Sequence, residues 1–399
     1  MSDYNVIVVG GGPAGLMTAK SCAERGLKVC ILEKDAEIGS PKRCAEGVSI
    51  RGFERAGLKP NPRFIAAKID GATLWSPEGK EVPMMGGDAS GYVLERKIFE
   101  KFLAKDAIEA GSDCKVRTTV TDLMFEDGKV SGVKANCMGD ILELTADVVV
   151  GADGIESKVG KIAGIKTINV LKDYISGFQY EMAGVKNLDM RKIHLWFGNE
   201  VAPKGYLWVF PKGDSLANVG IGIIGTANEQ KSAREHLDGF IMEHPEFFRD
   251  AAPVEVNSGG VPVSGMISDS FVKDNFLLVG DSAQMVNPIH GGGMSTNLYA
   301  GMIAGRVIAE AINSGDTSKE KLFEYEKEWR ATDGLRMGKL LKLRLFLEQL
   351  NDKDFEYFAD ALTGEDLMNM QKGKVKFMFK MLIKHPRLLN LARKYLTGF

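Results

Sequence analysis

The segment "NVIVVGGGPAGLMTAKSCAERG" constrains this chain more than any other. The run "NVIVVG" is continuously apolar, as in a strand buried on both faces of a parallel sheet. It ends in Gly10-x-Gly12-x-x-Gly15, passes into a helical pattern and reaches a second apolar strand, "KVCILEK". Each glycine has a mechanical reason. Gly10 permits the tight turn, Gly12 lets a pyrophosphate approach the backbone, and Gly15 lets helix and strand pack closely. The phosphates then sit on the helix N-terminus, which opens at Pro13 and Ala14. Glu33 ends the second strand at the position of a ribose acceptor, with Lys34 beside it. This set predicts an α/β, Rossmann-like dinucleotide-binding fold.

A further match, Gly220-x-Gly222-x-x-Gly225, lacks this context. Val219, Ile221 and Ile223 alternate with the glycines, and no suitable helix opens at Gly225. That pattern predicts a strand with one bare face, where something flat lies close to the backbone. Upstream, "YLWVFPKG" places Tyr206, Trp208 and Phe210 on one face of an extended segment. This aromatic wall belongs either to the protein's own core or to a long apolar ligand.

Two distant pieces favour FAD over a nicotinamide as the bound dinucleotide. "VVVGADG" puts Asp153 and Gly154 after a buried strand. "NFLLVGDSAQMVNPIHGGGMSTN" puts Asp281 after another, followed by Pro288, Gly291, Gly292 and Gly293 before a helix that starts near Met294. One glycine turn can hold the ADP half while this second helix N-terminus meets the ribityl and ring half. Asp281 then bonds the ribityl chain, and the positive helix end favours the negative charge of reduced flavin.

The parts order themselves into a discontinuous FAD-binding domain of residues 1–60, 92–168 and 268–315. A mostly antiparallel sheet of residues 61–91 and 169–267 is inserted as a substrate domain, and residues 316–399 read as a helical C-terminal domain. With 399 residues, 26% charged residues and a net charge of −2, the chain is no general nucleic-acid binder. Its five cysteines, Cys22, Cys30, Cys44, Cys114 and Cys137, are scattered and odd in number. They predict no disulfide, metal site or iron–sulfur cluster and a reducing, cytoplasmic setting. The N-terminus reads directly into a strand without a leader pattern, and no apolar stretch approaches the ~20 residues of a membrane span. From Arg336 on there are thirteen basic and seven acidic side chains, and no acid follows Asp366. Between Lys372 and Lys394 the basic residues alternate with Phe377, Phe379, Leu382 and Ile383. This reads either as a peripheral membrane-surface helix or as a helix packed on the body with a solvated basic face.

"GGGPAG", Glu33, "VVVGADG" and "GDSAQMVNPIHGGG" together resemble the para-hydroxybenzoate hydroxylase flavoprotein superfamily. Within it, "PKRCAEG" and "YLWVFPKG" resemble the geranylgeranyl reductase family over roughly residues 1–315, in particular its archaeal members acting on digeranylgeranylglycerophospholipids. The resemblance implies FAD and reduction of isoprenoid double bonds. It also implies that Cys44, Ala45 and Gly47 lie beside the flavin ring, and that Arg96 and the backbone near Val120 belong to the cofactor pocket.

Saturating an unactivated alkene needs a hydride on one carbon and a proton on the other. Reduced FAD is the natural hydride source. Cys44 and His290 are the candidate proton donors, because a thiol of pKa ~8.5 is largely protonated at neutral pH. Tyr206, Trp208 and Phe210, with the bare glycines Gly220 and Gly222, are the candidate substrate contacts. The expected partners are a prenylated glycerophospholipid and an electron donor, either NAD(P)H or a small iron–sulfur protein. The alternatives are a flavin monooxygenase acting on an aromatic and an electron-relay flavoprotein serving quinone.

Overall fold

The computed structural model describes residues 2–86, 89–227 and 231–371. The basic segment from Lys372 to Lys394 lies outside the described residues. The chain divides into two compact units. Among the described residues the first comprises 2–66, 94–174 and 260–335, and the second comprises those of 67–93 and 175–259 together with 336–371. The region read as a helical C-terminal domain is shared between them: the helix Lys319–Trp329 counts with the first unit, and the helices after Arg336 with the second.

The first unit is built on an eight-stranded sheet. Tyr4–Val9 lies at its centre, parallel to Val29–Leu32 on one side and to the end of Asp140–Gly151 on the other. Asp113–Lys115 and Phe276–Leu278 extend the parallel part, while Thr118–Glu126, Lys129–Cys137 and the start of Asp140–Gly151 form an antiparallel extension. Val6, Ile7, Val8, Val148, Val149 and Val150 are fully buried, as a strand covered on both faces requires.

The helix Pro13–Ala23 packs along the helix Met294–Asn313, and the contact depends on two glycines. A Cβ at Gly301 would lie 2.5 Å from the Ala14 carbonyl oxygen, and one at Gly305 would lie 2.4 Å from Ser21 Cβ. This close approach buries Cys22 completely, and burial pushes its thiol up to about 12. Burial pushes Cys30 up to about 11. Both behave as small apolar core residues.

The second unit contains a seven-stranded sheet. Its order is Ala252–Pro262, Tyr174–Ala183, Leu216–Ile224, Tyr206–Pro211, Lys192–Trp196, Gly71–Trp75 and Glu81–Met85. It is mostly antiparallel, with Lys192–Trp196 parallel to Gly71–Trp75. One face holds the core. Leu207, Val209, Val219, Ile221 and Ile223 are fully buried there, with Leu237 and Phe240 of the helix Ala233–Glu243. Because side chains alternate along a strand, Tyr206, Trp208 and Phe210 project from the opposite face, each half-buried. The aromatic wall is therefore not the inner face of this core.

The alternation is testable. Leu207→Ala opens a cavity in the packed face and is expected to cost about 2–5 kcal/mol of stability. Denaturant unfolding of the variant measures it, and a loss well under that range would mean that the core face is misassigned.

Candidate cofactor and active site

The three glycine motifs meet at the carboxyl ends of the parallel strands. Gly10, with φ +112°, ends the first strand, and a Cβ there would sit 2.3 Å from the Ala152 carbonyl oxygen. A Cβ at Gly15 would lie 2.1 Å from the Gly10 carbonyl oxygen. Gly280, with φ +76°, closes the third contact, since a Cβ there would be 2.7 Å from Ala14 Cβ. Ser282 Oγ donates 2.7 Å to the Gly151 carbonyl, and Ser157 Oγ donates 3.0 Å to the Ser282 carbonyl. Gly12 differs from these packed glycines. Nothing lies within 4 Å of a Cβ built on it, no side chain caps the helix it starts, and no acid occupies the first turn. Open space over an uncapped helix N-terminus is what a diphosphate requires.

Glu33 carries more than the sequence assigned to it. Its Oε2 accepts 2.7 Å from the Gly11 N–H and its Oε1 accepts 2.8 Å from the Asp35 N–H. It ties the glycine turn to the second strand, and each oxygen keeps a further lone pair for ribose. Lys34 is exposed and pairs with Asp35 at 3.1 Å. Val120 lies two residues past Thr118, whose N–H donates 2.8 Å to the Glu33 carbonyl.

The turns after the other two strands carry their own polar set. Asp153 Oδ2 accepts 3.1 Å from the Val159 N–H, while its buried Oδ1 has no hydrogen-bond partner. Gly154 follows with φ +69°. Asp281 accepts 2.6 Å from Asn297 Nδ2, and the Asn297 Oδ1 is also buried without a partner. Burial raises both carboxyls, and at Asp281 the bond from Asn297 and the charge of Arg96 oppose the rise. A Cβ on Gly293, which caps the helix Met294–Asn313, would lie 3.0 Å from Asn297 Nδ2 and 3.1 Å from Asp281 Oδ1. Orphaned buried oxygens on Asp153 and Asn297 suit a polyhydroxyl chain that donates hydrogen bonds. Asn297 was missed by the sequence reading; its only signal is a polar "STN" opening an otherwise apolar helix.

The loop before that helix is folded on itself. Pro288 is buried, the Ile289 N–H donates 2.9 Å to Asn287 Oδ1, and Gly291 takes φ +66°. The Gly292 N–H donates 3.0 Å to His290 Nδ1, and a Cβ at Gly292 would strike that ring at 2.6 Å. Neutral His290 therefore carries its proton on Nε2.

Cys44 sits in a buried charge network that the motif alone did not reveal. Its Sγ accepts 3.1 Å from the Glu46 N–H, and Glu46 adopts φ +72°, rare for a residue with a side chain. Glu46 Oε1 accepts 2.8 Å from the Arg96 N–H, and its Oε2 pairs with Lys42 at 3.2 Å. The Lys42 and Glu46 side chains are only 2% and 1% exposed. Arg96 Nε pairs with Glu100, and Arg96 also donates 3.4 Å to the Arg43 carbonyl. Burial opposes the Arg96 charge, but Glu100 and the Cys44 sulfur push its pKa up. Glu100 itself is raised by burial and held back by Arg96. The Arg96 charge also bears on the Asp281 carboxyl, so the Cys44 loop and Asp281 share one electrostatic neighbour, and Ala45 and Gly47 flank the Cys44 turn, half-buried.

The candidate substrate residues belong to the second unit. Trp208 Nε1 donates 2.8 Å to Gln179 Oε1, and Gln179 Nε2 donates 3.1 Å to Asn218 Oδ1. A Cβ on Gly220 would meet Trp208 Cζ2 at 2.4 Å, and one on Gly222 would meet Ile175 Cγ2 at 2.9 Å and Trp208 Cζ3 at 3.5 Å. The flat group over these glycines is the indole of the neighbouring strand, not a ligand. Tyr206 continues the wall, with its ring centroid 5.7 Å from that of Trp208. At the far end Lys212, its side chain 1% exposed, pairs with Glu181 at 2.9 Å. Gln179, Glu181 and Lys212 were not singled out in the sequence, because their burial depends on strands distant along the chain.

Comparison with known proteins agrees with this geometry. Residues 5–51 match the FAD binding domain family, and residues 173–261 match the geranylgeranyl reductase catalytic domain family. The chain is 43% identical to the digeranylgeranylglycerophospholipid reductase of Methanothrix thermoacetophila, covering 96% of this chain and 97% of that protein. It is 40% identical to digeranylgeranylglycerophospholipid reductase 2 of Methanopyrus kandleri, covering 98% and 99%. A solved geranylgeranyl bacteriochlorophyll reductase-like protein from Thermoplasma acidophilum superposes with a TM-score of 0.88 at 34% identity, over 98% of this chain and 99% of that one.

Asp281 offers a test of the site's electrostatics. Its folded carboxyl titrates above the ordinary 3.8, so the native apoprotein holds that proton longer than the unfolded chain. Stability from this group is present at low pH and lost as pH rises through the raised range. Asp281→Asn removes the loss. The melting temperature of the variant apoprotein is expected to exceed that of the wild type by a margin that grows as pH rises above about 4. A margin independent of pH would contradict the assignment.

Proposed function

The chain belongs to the geranylgeranyl reductase family, among its digeranylgeranylglycerophospholipid reductases, and from that premise we propose that it is an FAD-dependent reductase saturating the geranylgeranyl chains of a prenylated glycerophospholipid. The observation that carries this reading is the convergence of three glycine turns on an uncapped helix N-terminus, with Arg96, which is bonded to the Cys44 loop, exerting its charge on Asp281. The hydroxylase and quinone-relay alternatives lose their ground, because relatives matched over nearly the whole chain are named reductases.

Bound FAD, once reduced, supplies the hydride. In this reading the backbone around Gly12 holds the diphosphate and Glu33 the ribose, while Asp153, Asp281 and Asn297 take the ribityl hydroxyls. Cys44, fixed by the Glu46 N–H, delivers the proton from Sγ. Nε2 of His290 is the second atom placed to carry one. The face of Tyr206, Trp208 and Phe210 receives the isoprenoid chain, and its rigid aromatic rings need little ordering to do so. Electrons reach the cofactor from a nicotinamide or a small iron–sulfur protein. In this reading the protein meets its lipid at the membrane surface; among the described residues no helix is long and apolar enough to cross a membrane.

Anaerobic incubation of the dithionite-reduced protein with digeranylgeranylglycerophospholipid tests the reaction. The product should gain one hydrogen molecule in mass per double bond, and a lipid of unchanged mass would overturn the assignment. Cys44→Ser and Cys44→Ala are expected to keep FAD and to slow or redirect this reduction; wild-type rates in both would make Cys44 a loop residue. Trp208→Ala is expected to raise the apparent KM for lipid or to change which bonds are reduced, with the flavin spectrum intact. Unaltered affinity and product pattern would separate the wall from the substrate.

A further inference from the structure

We infer that the exposed aliphatic and lysine side chains of residues 158–172, in the first unit, form a surface that docks on an anionic lipid membrane. The inference names the place where the proposed membrane contact is made, and it does not depend on the reaction. Ile162, Ile168, Val170 and Leu171 are 37%, 66%, 49% and 61% exposed. Four large aliphatics within ten residues is a dense exposure for a water-facing segment. Glu156, Lys161, Ile168, Leu171 and Tyr174 line one open depression of about 350 Å³, which gathers two of the four aliphatics and a lysine in one place.

The charge around these side chains selects the partner. Residues 155–174 contain Lys158, Lys161, Lys166 and Lys172 against Glu156 and Asp173, a net of +2 on a chain of net −2. Lys158, 72% exposed, pairs with Glu156 at 3.1 Å, and Lys161, Lys166 and Lys172 are exposed as well. Lys273 adds a cation at the edge, its Nζ 3.8 Å from a Cβ built on Gly164. Another exposed apolar group of this unit, Phe125, Met138 and Ile141, belongs to residues 122–143, which carry five acids against Lys129 and Lys134, a net of −3.

Protein interface cores are depleted in lysine, so this mixture fits a protein partner poorly. It fits a bilayer well. The aliphatics enter the acyl boundary, while the lysine stems lie along it and carry their charges to the phosphates. Anionic headgroups then add attraction that salt screens.

The test uses the full-length, FAD-loaded protein and flotation on vesicles, either phosphatidylcholine with phosphatidylglycerol or phosphatidylcholine alone. The wild type is expected to bind the anionic vesicles and to lose binding as salt rises. Ile168→Glu combined with Leu171→Glu should weaken vesicle binding by about tenfold or more. Lys161→Ala combined with Lys166→Ala should weaken it less and flatten its salt dependence. Both variants should keep the flavin spectrum and wild-type reduction of detergent-dispersed lipid. If the glutamate pair fails to fold, Ile168→Ser with Leu171→Ser serves the same purpose. Vesicle binding undiminished in the aliphatic variants would overturn the inference. Undiminished vesicle binding together with lost reduction by a protein electron donor would mark the face as a protein-docking surface instead. Because vesicle binding needs no turnover, failure here is distinct from failure of the proposed reaction.

Discussion

The first unit depends on backbones meeting where side chains cannot fit. Gly10 lies against Ala152, Gly15 against Gly10, and Gly280 against Ala14, so three chain segments from distant parts of the sequence interlock at the ends of parallel strands. Any Cβ at these points would overlap backbone or a neighbouring Cβ by far more than packing tolerates. The interlock leaves Gly12 as the one glycine of the first motif that faces open space. The same constraint runs along the helix pair, where Gly301 and Gly305 let Met294–Asn313 settle on Pro13–Ala23. Phosphate binding and core packing thus use glycine for opposite reasons, one to keep space and the other to remove it.

Around Cys44 the governing force is electrostatic. Lys42 and Glu46 are almost fully buried, and such a pair is tolerated only when its remaining polar capacity is satisfied. Glu46 meets that condition by accepting from Lys42 and from the Arg96 N–H while its own N–H holds the Cys44 sulfur. Removing one partner would leave an uncompensated buried charge, so the loop is held in one arrangement. Arg96 pairs in turn with Glu100, and its charge reaches the Asp281 carboxyl. The network holds the Cys44 sulfur in one position, which the proton transfer proposed for it requires.

The second unit solves a different problem with strand periodicity. Leu207 and Val209 are committed to the core, so Tyr206, Trp208 and Phe210 must take the other face. Trp208 then lies over Gly220, and its indole N–H is anchored by Gln179. The glycines are a seat for the tryptophan, and the tryptophan presents the face.

The sequence by itself determined the local pieces. The strand–turn–helix at Gly10, Gly12 and Gly15 was legible because backbone geometry permits few residues there. The shared face of Tyr206, Trp208 and Phe210 was legible because a strand alternates. Family-like motifs pointed to FAD and to Cys44 beside the ring. Tertiary structure decided what depends on meetings between distant segments. It put the indole of Trp208 over Gly220, buried Lys42 with Glu46, brought Asn297 to Asp281, and turned Glu33 toward the Gly11 N–H. It also exposed Ile168 and Leu171, which composition alone would place inside. Burial and pairing are properties of neighbours, and those neighbours are fixed only when strand order, register and loop path are fixed.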